Sequence, residues 1–228
     1  MKISICTPNF LEFHPGFSLT GIVKDQAFML GRHGHEVDIL VSDEFYGNED
    51  FEFYPGKVTL KPVLPRTHQT DYARAEDISL EHIELSELTA ERLVEALADT
   101  DIIFTHDILL TGWQLPYYLG LKEASEKVKA PWMHWLHSIP LHNYDWWNLH
   151  DLKGVHSIVS PNRVYRQLVA EAYKTEFGNV SVIPHIKDIR VMGRATSGVR
   201  IIRLQPGDKV SDIAKLEKEE YIEEPAEN

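Results

Sequence analysis

Short β-branched segments alternate with amphipathic segments along most of this chain, and this alternation constrains the fold more than any other feature. The runs KISICT at 2–7 and EVDILVS at 36–42 read as buried strands, and the segment 21–34 between them carries apolar residues at helical spacing. Strands connected through a helix lie parallel in one sheet. The beginning of the chain therefore predicts a βαβ unit, with Thr20 as the helix cap and Gly34 as its terminator.

Further strand and helix patterns follow in alternation. Within the helices, Thr89 is the expected N-cap and Pro116 an interruption, while 51–66 is expected to hold two short extended stretches. The segment 67–88 is polar and has no clear pattern. Repeated β–α alternation predicts a doubly wound, parallel, Rossmann-like α/β domain over 1–189. The strand patterns are 101–106, 130–137, 156–160 and 180–185, and the helix patterns are 89–100, 110–129 and 162–175.

The charge balance and the single cysteine narrow the classes of function. The 228 residues carry a formal net charge of -12, which disfavours binding to nucleic acid, although a peripheral contact with a membrane surface stays open. Cys6 lies inside the first apolar run and has no second cysteine to pair with, which is typical of a reducing compartment. Because the segment MKISICTPNF enters a strand pattern at once, without the apolar core of a targeting signal, we expect a cytoplasmic protein.

Polar or glycine-containing segments follow four of the predicted strands. In an open parallel sheet, ligands bind beyond the carboxyl ends of the strands. The sequence therefore predicts one crevice, lined by a glycine-containing loop and at least two histidines. The segments concerned are the loop 8–21, His106 with Asp107, His137 with Ser138, and Pro184 with His185.

Two interpretations are open for each of the first two strand ends. Gly21 opens the predicted helix, where backbone N–H groups can hold an anion, or Gly16 and Gly21 only shape a turn. His106 can donate a hydrogen bond and Asp107 can bind a substrate hydroxyl, or Asp107 caps a helix beside a histidine that is satisfied in the core. The glycine spacing is not G-x-G-x-x-G, so a dinucleotide site is not expected.

The histidines of the segment 130–140 invite a metal-site interpretation, but their spacing argues against it. Residues three apart on a strand point to opposite faces, and no Cys or Glu stands at ligand spacing, so no metal is expected. His134 fits the core, whereas His137, at the end of the strand, fits the site. The aromatic residues of the run 132–147 fit either a sugar-stacking surface or the core.

These features together resemble the amino-terminal domain of GT-B fold glycosyltransferases of the retaining, glycogen-synthase-like superfamily. The first stretch is similar to the phrase that closes that family's first βαβ unit, and the last resembles its hinge into a second domain, with His185 and Ile186 in place of Asn-Gly. The resemblance covers 1–189. The matching stretches are LGRHGHEVDILV at 30–41, DIIFTHD at 101–107, WMHWLHS at 132–138, IVSPNRVYRQLV at 158–169 and VSVIPHIKDI at 180–189.

The resemblance implies transfer of a sugar from a nucleotide-sugar donor to a glycan or other acceptor, without a cofactor. By its motifs, His137 would be the catalytic residue near the transferring sugar, and Gly21 would lie near the donor phosphates. The family's second Rossmann domain, which holds the donor, has no counterpart here, so this half is expected to be inactive alone. The remaining substrate-binding residues would be Thr20, His106, Asp107 and Ser138.

The segment after the predicted hinge has a different character. It reads as two short strands, a Pro-Gly turn and an acidic end, and MGRATSGVRIIRL at 192–204 resembles the carboxyl-terminal end of the DNA-wrapping chain of DNA gyrase. A single propeller fragment cannot bury its own core. We therefore expect a chimera, with a short β-rich appendage at 190–214 and an acidic, disordered tail at 215–228. A hairpin native to the fold is the alternative.

Three functions follow from these patterns. The leading interpretation is the acceptor-binding half of a glycosyltransferase, and the alternative is a glycan-binding module without catalysis. A role in DNA topology, which the gyrase-like segment alone would suggest, requires salt-dependent DNA binding and conflicts with the acidic charge.

Overall fold

The structure is a computed structural model, and it describes residues 1–8, 10, 18–45, 54–67, 77–106, 114–137 and 149–183. All of these residues belong to one compact unit, Met1–Ile186. Within them, no helix combines the length and the apolar character needed to cross a membrane. The predictions for 190–214 and 215–228 fall outside the described residues.

Seven parallel strands form one sheet in the described part of the chain. Across the sheet their order is β3-β2-β1-β4-β5-β6-β7, and each of the six pairings is parallel. The predicted doubly wound, parallel α/β architecture is thus confirmed. In chain order the strands are β1 Lys2–Cys6, β2 Glu36–Ser42, β3 Lys57–Leu64, β4 Ile102–His106, β5 Trp132–Trp135, β6 His156–Ser160 and β7 Val180–Val182.

Helices cover both faces of this sheet. Ile39 of β2 belongs to the apolar core that contains Val23 of the first helix. The next residue, Leu40, belongs to a second core with Leu93 and Leu121 of two later helices. We call the two sides the α1 face and the α2–α3 face. The helices are α1 Ser18–Arg32, α2 Leu80–Ala96, α3 Leu115–Lys127 and α4 Arg166–Ala172, with 3-10 turns at Leu149–Asp151, Arg163–Tyr165 and Phe177–Asn179.

Helix α1 begins at Ser18, so the predicted cap at Thr20 is wrong. Leu19 and Thr20 are both buried inside the helix, and Leu19 joins the core of the α1 face. Burying that leucine extends the helix by about one turn beyond the predicted apolar stripe. Gly21 is therefore the fourth helical residue rather than the first. Gly34 ends the segment with a φ of 80°, as predicted.

Helix α2 begins well before its predicted cap at Thr89, because Ser79 caps it. The Ser79 side chain accepts from the backbone N–H of His82 at 3.3 Å, and the His82 ring accepts from the Ser79 N–H at 3.0 Å. Thr89 lies buried within the helix and donates to the Leu85 carbonyl at 2.7 Å. The prediction failed because His82 replaces the Glu or Gln of the usual capping box.

Pro116 lies near the start of a helix and does not interrupt one. It lies in the first turn of α3, where its missing N–H has no helical partner to lose. Of the two extended stretches expected in 51–66, the described part from 54 onward contains one strand, β3.

Helices α2 and α3 approach each other closely at Gly120. A Cβ at this position would lie 2.6 Å from Thr89 Cβ and 2.8 Å from the carbonyl oxygen of Ser86. Since real Cβ atoms do not tolerate such distances, the helix pair requires glycine at this position.

One carboxylate is buried within the sheet. Asp38 of β2 is 1% exposed, and its Oδ2 lies 2.7 Å from Lys61 Nζ and 3.3 Å from Lys2 Nζ. Lys2 Nζ also lies 2.5 Å from Asp99 Oδ2, and this hydrogen bond raises the pKa of Lys2. These charges tie β1, β2 and β3 to the segment that follows α2.

Candidate functional site

The strand order reverses between β1 and β4, and such a reversal opens a crevice at the carboxyl ends of the strands. Thr7 directly follows β1, and His106 is the last residue of β4. The register pairs Cys6 with Thr105, one residue earlier on each strand. Thr7 and His106 are therefore neighbours on the same side of the sheet, the α1 face.

His106 and His137 form a hydrogen-bonded pair at this reversal. Nδ1 of His106 lies 2.7 Å from Nε2 of His137, and the rings are parallel within 2°, with 5.0 Å between their centroids. His106 is fully buried, whereas His137, two residues beyond β5, is partly exposed. Two of the predicted strand-end residues therefore meet, and His137 is the partly exposed member of the pair.

Two further side chains contact His106. Gln26 of α1 is 8% exposed, and its Oε1 lies 3.0 Å from Nε2 of His106. Trp135 of β5 stacks on the same ring, with 6.1 Å between centroids and 18° between the planes. His106 thus has a polar contact at each ring nitrogen and an indole as its neighbour. Trp135 is itself buried, which fits the core interpretation of this part of the aromatic run.

Three buried polar atoms near this pair have no hydrogen-bond partner among the described residues. They are Oγ1 of Thr7, Nε2 of Gln26 and Nε1 of Trp135. An unpaired buried donor or acceptor costs about 1–3 kcal/mol, so a native protein keeps few of them. Atoms of the same kind also occur elsewhere among the described residues, on Thr67, Gln114 and Trp132, so the three beside the histidine pair supply polar groups to this place but do not by themselves mark it as a site.

A second histidine pair lies on the α2–α3 face. Nδ1 of His134 lies 2.7 Å from Oγ1 of Thr105, and Nε2 of His134 lies 2.9 Å from Nδ1 of His156. Nε2 of His156 donates to the Lys153 carbonyl at 2.6 Å. Burial, and then repulsion from His156, lowers the pKa of His134 well below its usual value, and burial also lowers the pKa of His156. His134 is fully buried, which confirms its predicted place in the core.

The two histidine pairs lie on opposite faces of the sheet, as the spacing of His134 and His137 predicted. Among the described residues, no three His, Cys, Asp or Glu side chains come together as metal ligands. The described part of the chain therefore assigns no ligand set to a metal ion.

The first turn of α1 carries two of the predicted site residues. Thr20 is buried and Gly21 is exposed. A Cβ at Gly21 would meet no atom of the described residues within 4 Å, whereas a Cβ at Gly31, at the other end of α1, would collide with the Pro55 carbonyl. Packing against the described residues therefore requires glycine at position 31 but not at position 21. The lack of a side chain at Gly21 leaves space beside the helix.

Two predicted site residues fall outside the described residues, and two site residues were not predicted. Asp107 and Ser138 belong to the first group, so their roles stay predictions. Gln26 and Thr7 belong to the second. Gln26 stands in the apolar stripe of α1, and a polar side chain in such a stripe is a signal that identifies it. Thr7 has no comparable signal, because threonine is common in strands.

Comparison with protein families gives one match, near the end of the chain. Residues 175–217 match the family described as DNA gyrase C-terminal domain, beta-propeller. The described part of that match forms the 3-10 turn Phe177–Asn179 and β7, which pairs in parallel with β6 at the edge of the sheet. The match therefore begins within the α/β sheet and not after the hinge, where the resemblance had been expected.

Comparison with solved structures gives a glycosyltransferase from Rickettsia africae ESF-5. It is 18% identical to this chain, with a TM-score of 0.48, and the alignment covers 80% of this chain and 42% of that one. The chain thus spans less than half the length of that protein. No match was found among curated proteins.

Proposed function

We propose that residues 1–189 form the acceptor-binding half of a glycosyltransferase. In this proposal, a sugar passes from a nucleotide-sugar to a glycan or other acceptor, and a donor-binding domain completes the site. The order of the matching sequence stretches supports the assignment. The structural observation that carries it is the hydrogen-bonded pair of His106 and His137 at the reversal of strand order.

The histidine pair suits the recognition of a sugar hydroxyl. A hydroxyl both donates and accepts hydrogen bonds, and an imidazole can meet it in either role. His137 is partly exposed, and its contact with the buried His106 ring holds its own ring in one orientation. A site that recognises a hydroxyl in this way discriminates strongly, because a ligand without that hydroxyl leaves the protein group unpaired.

The start of α1 supports a place for the donor phosphates. The first backbone N–H groups of a helix have no partner within it, and they carry the positive end of the helix dipole. Since α1 begins at Ser18, these groups belong to residues 18–20, immediately before Gly21. The open space at Gly21 would let a diphosphate approach the backbone closely.

In the transfer step, the bond from the anomeric carbon to the diphosphate oxygen breaks, and a bond from that carbon to the acceptor oxygen forms. The leaving nucleoside diphosphate keeps the bonding electron pair, and its freed oxygen takes the proton that the acceptor hydroxyl gives up. We assign to His137 the hydrogen bond that holds the transferring sugar. Thr20, His106, Asp107 and Ser138 are assigned to the walls of the crevice.

The proposal is tested on the full chain by saccharide binding and then by nucleotide release. A saccharide array should identify one class of ligand that binds the unaltered chain and the His33→Ala variant but not the His137→Ala variant. His33 is an exposed histidine beyond the end of α1 and serves as the matched control. Nucleotide release from UDP-glucose or GDP-mannose is expected when a donor-binding domain is added.

The other outcomes separate the competing functions. Saccharide binding that never leads to nucleotide release would favour a glycan-binding module without catalysis. If neither saccharides nor nucleotide-sugars bind, both interpretations are wrong. Salt-dependent binding of duplex DNA would instead support a role connected with the gyrase-like match, which the net charge of -12 disfavours.

A further inference from the structure

Helix α1 turns a row of side chains away from the sheet. All of them are exposed, and their spacing of three, four and seven residues places them on one side of the helix. The opposite side of α1 packs on the sheet as part of the apolar core of the α1 face. We call the exposed residues Asp25, Phe28, Met29 and Arg32 the outer row of α1. Packing on the sheet does not explain their chemistry.

The centre of the outer row is apolar. Phe28 is 44% exposed and Met29 is 48% exposed, although both side chains are large. The Phe28 ring meets the ring of Tyr54 edge-on, with 5.7 Å between the centroids, and this contact holds it in place. A single exposed apolar side chain needs no explanation, whereas two neighbouring ones form a small patch that association would remove from water.

The two ends of the outer row carry opposite charges. Asp25 lies three residues before Phe28, and Arg32 lies three residues after Met29, so the charges are symmetric about the apolar centre. They stand about 10 Å apart along the helix, which is too far for them to pair with each other. Among the described residues, neither charged side chain has a hydrogen bond or an ion pair. Arg32 suits the carboxyl end of the helix dipole, but Asp25, in the middle of the helix, gains nothing from it.

This arrangement is complementary to itself. Two copies of α1 can pack antiparallel about a two-fold axis that passes between residues 28 and 29. Phe28 of one copy then meets Met29 of the other, in a favourable contact of sulfur with an aromatic ring. At the same time Asp25 of each copy faces Arg32 of the other. Parallel packing would instead place like charges opposite each other, so the charges select the antiparallel orientation.

We propose that the outer row of α1 is the contact surface for a second copy of this chain, with the two α1 helices antiparallel. The contact is small, so the dimer should form reversibly and at high concentration. The exposed side of α2 could not serve in the same way, because it is acidic along its length and would repel its own copy. Its exposed glutamates are Glu81, Glu84, Glu87, Glu91 and Glu95. The inference does not depend on the proposed transfer of a sugar.

The test is sedimentation equilibrium of the full chain and of variants with reversed charges. Asp25→Arg places two guanidinium groups opposite each other, and Arg32→Asp places two carboxylates opposite each other. Each variant alone should therefore associate about tenfold more weakly than the unaltered chain, or weaker still. An equimolar mixture of the two variants should form a mixed dimer, because every basic position then faces an acidic one. The chain that carries both changes should associate like the unaltered chain.

Helix α2 provides the matched controls. Glu91→Arg changes the net charge by the same amount as Asp25→Arg but lies on the exposed side of α2, so it should leave the association unchanged. Met29→Gln should weaken the dimer by removing half of its apolar centre. Ile83, on α2, is 42% exposed, and Ile83→Gln should have no such effect. A loss confined to the α1 variants supports the proposal.

Three results would overturn the inference. The first is a chain that stays monomeric even at millimolar concentration. The second is a dimer that persists in the α1 variants, because it would then form through another surface, such as the exposed Val164 and Leu168 of α4. The third is a mixture of Asp25→Arg and Arg32→Asp that associates no better than either variant alone. None of these measurements involves a saccharide or a nucleotide-sugar, so their failure and the failure of the proposed function are distinguishable.

Discussion

Nε2 of His134 donates to Nδ1 of His156 across 2.9 Å. This bond belongs to a series of hydrogen bonds that runs from Thr105 to the Lys153 carbonyl, and the carbonyl at its end determines the direction of each bond. The Lys153 carbonyl only accepts, so His156 must donate from Nε2 and accept at Nδ1. His134 must then donate from Nε2 and accept at Nδ1 from the Thr105 hydroxyl. Burial lowers the pKa of both rings, so both are neutral near pH 7, and a proton added at Nδ1 of His156 would face the N–H of His134.

Acid should destabilise the fold by protonating these hydrogen-bonded histidines. The unfolded protein protonates His134 near its ordinary pKa of 6.5, whereas burial lowers the pKa of His134 in the folded state. The unfolded state therefore binds more protons below pH 6.5, and stability falls as the pH drops, by at most about 1.4 kcal/mol per pH unit for this histidine. Urea unfolding between pH 7.5 and 5.5 measures this fall. The His134→Gln variant should show a smaller fall, and an equal fall would contradict the assignment.

The Gly120→Ala variant should lose about 2 kcal/mol of unfolding free energy, because the added methyl group forces α2 and α3 apart at Thr89. The control is Gly178→Ala, where a Cβ would meet no atom within 4 Å. Thermal or urea unfolding of both variants provides the comparison. Equal stability of the two variants would show that the helices do not pack as described.

The Asp38→Asn variant should lose about 2 kcal/mol, since Lys2 and Lys61 would face each other without the buried carboxylate. Glu36→Gln is the matched control, because the Glu36–Lys57 pair is exposed and should contribute about 0.5 kcal/mol or less. Urea unfolding at low and high salt separates the two. If added salt reduces the Asp38→Asn loss as much as the Glu36→Gln loss, Asp38 is not shielded from solvent.

Cys6 should not react with thiol reagents in the folded protein. Burial raises the pKa of its thiol to about 12, so the reactive thiolate does not form near neutral pH, and the buried sulfur is also out of reach of a reagent. Labelling with a chromogenic disulfide at pH 8 should be slow without denaturant and complete in urea. Rapid labelling of the folded chain would place β1 at the surface and contradict the sheet order.

Strands with clear boundaries were predictable to the residue. Glu36–Ser42 and His156–Ser160 match their predicted limits, because each is a short apolar run between polar residues. The start of α2 was not predictable in the same way. Its cap uses His82, and Thr89, which has the composition of a cap, is buried at the contact with Gly120.

The candidate site was predictable in its position but not in its connections. His106 and His137 were identified because they end strands whose carboxyl ends share one edge of the sheet. The contact of Gln26 with His106 joins residues 80 positions apart. It depends on how α1 lies on the sheet, and a periodic pattern in one segment carries no information about that placement.

The histidine pairs on the two faces also have a consequence for folding. β4 and β5 are aligned so that Thr105 stands opposite His134, and His106 opposite Trp135. A slip of one residue would turn every side chain of β5 to the wrong face and break polar bonds on both sides at once. Apolar contacts would partly survive such a slip, but these bonds would not. The hydrogen bonds of the imidazoles thus favour the correct register of β4 and β5 over a shifted register during folding.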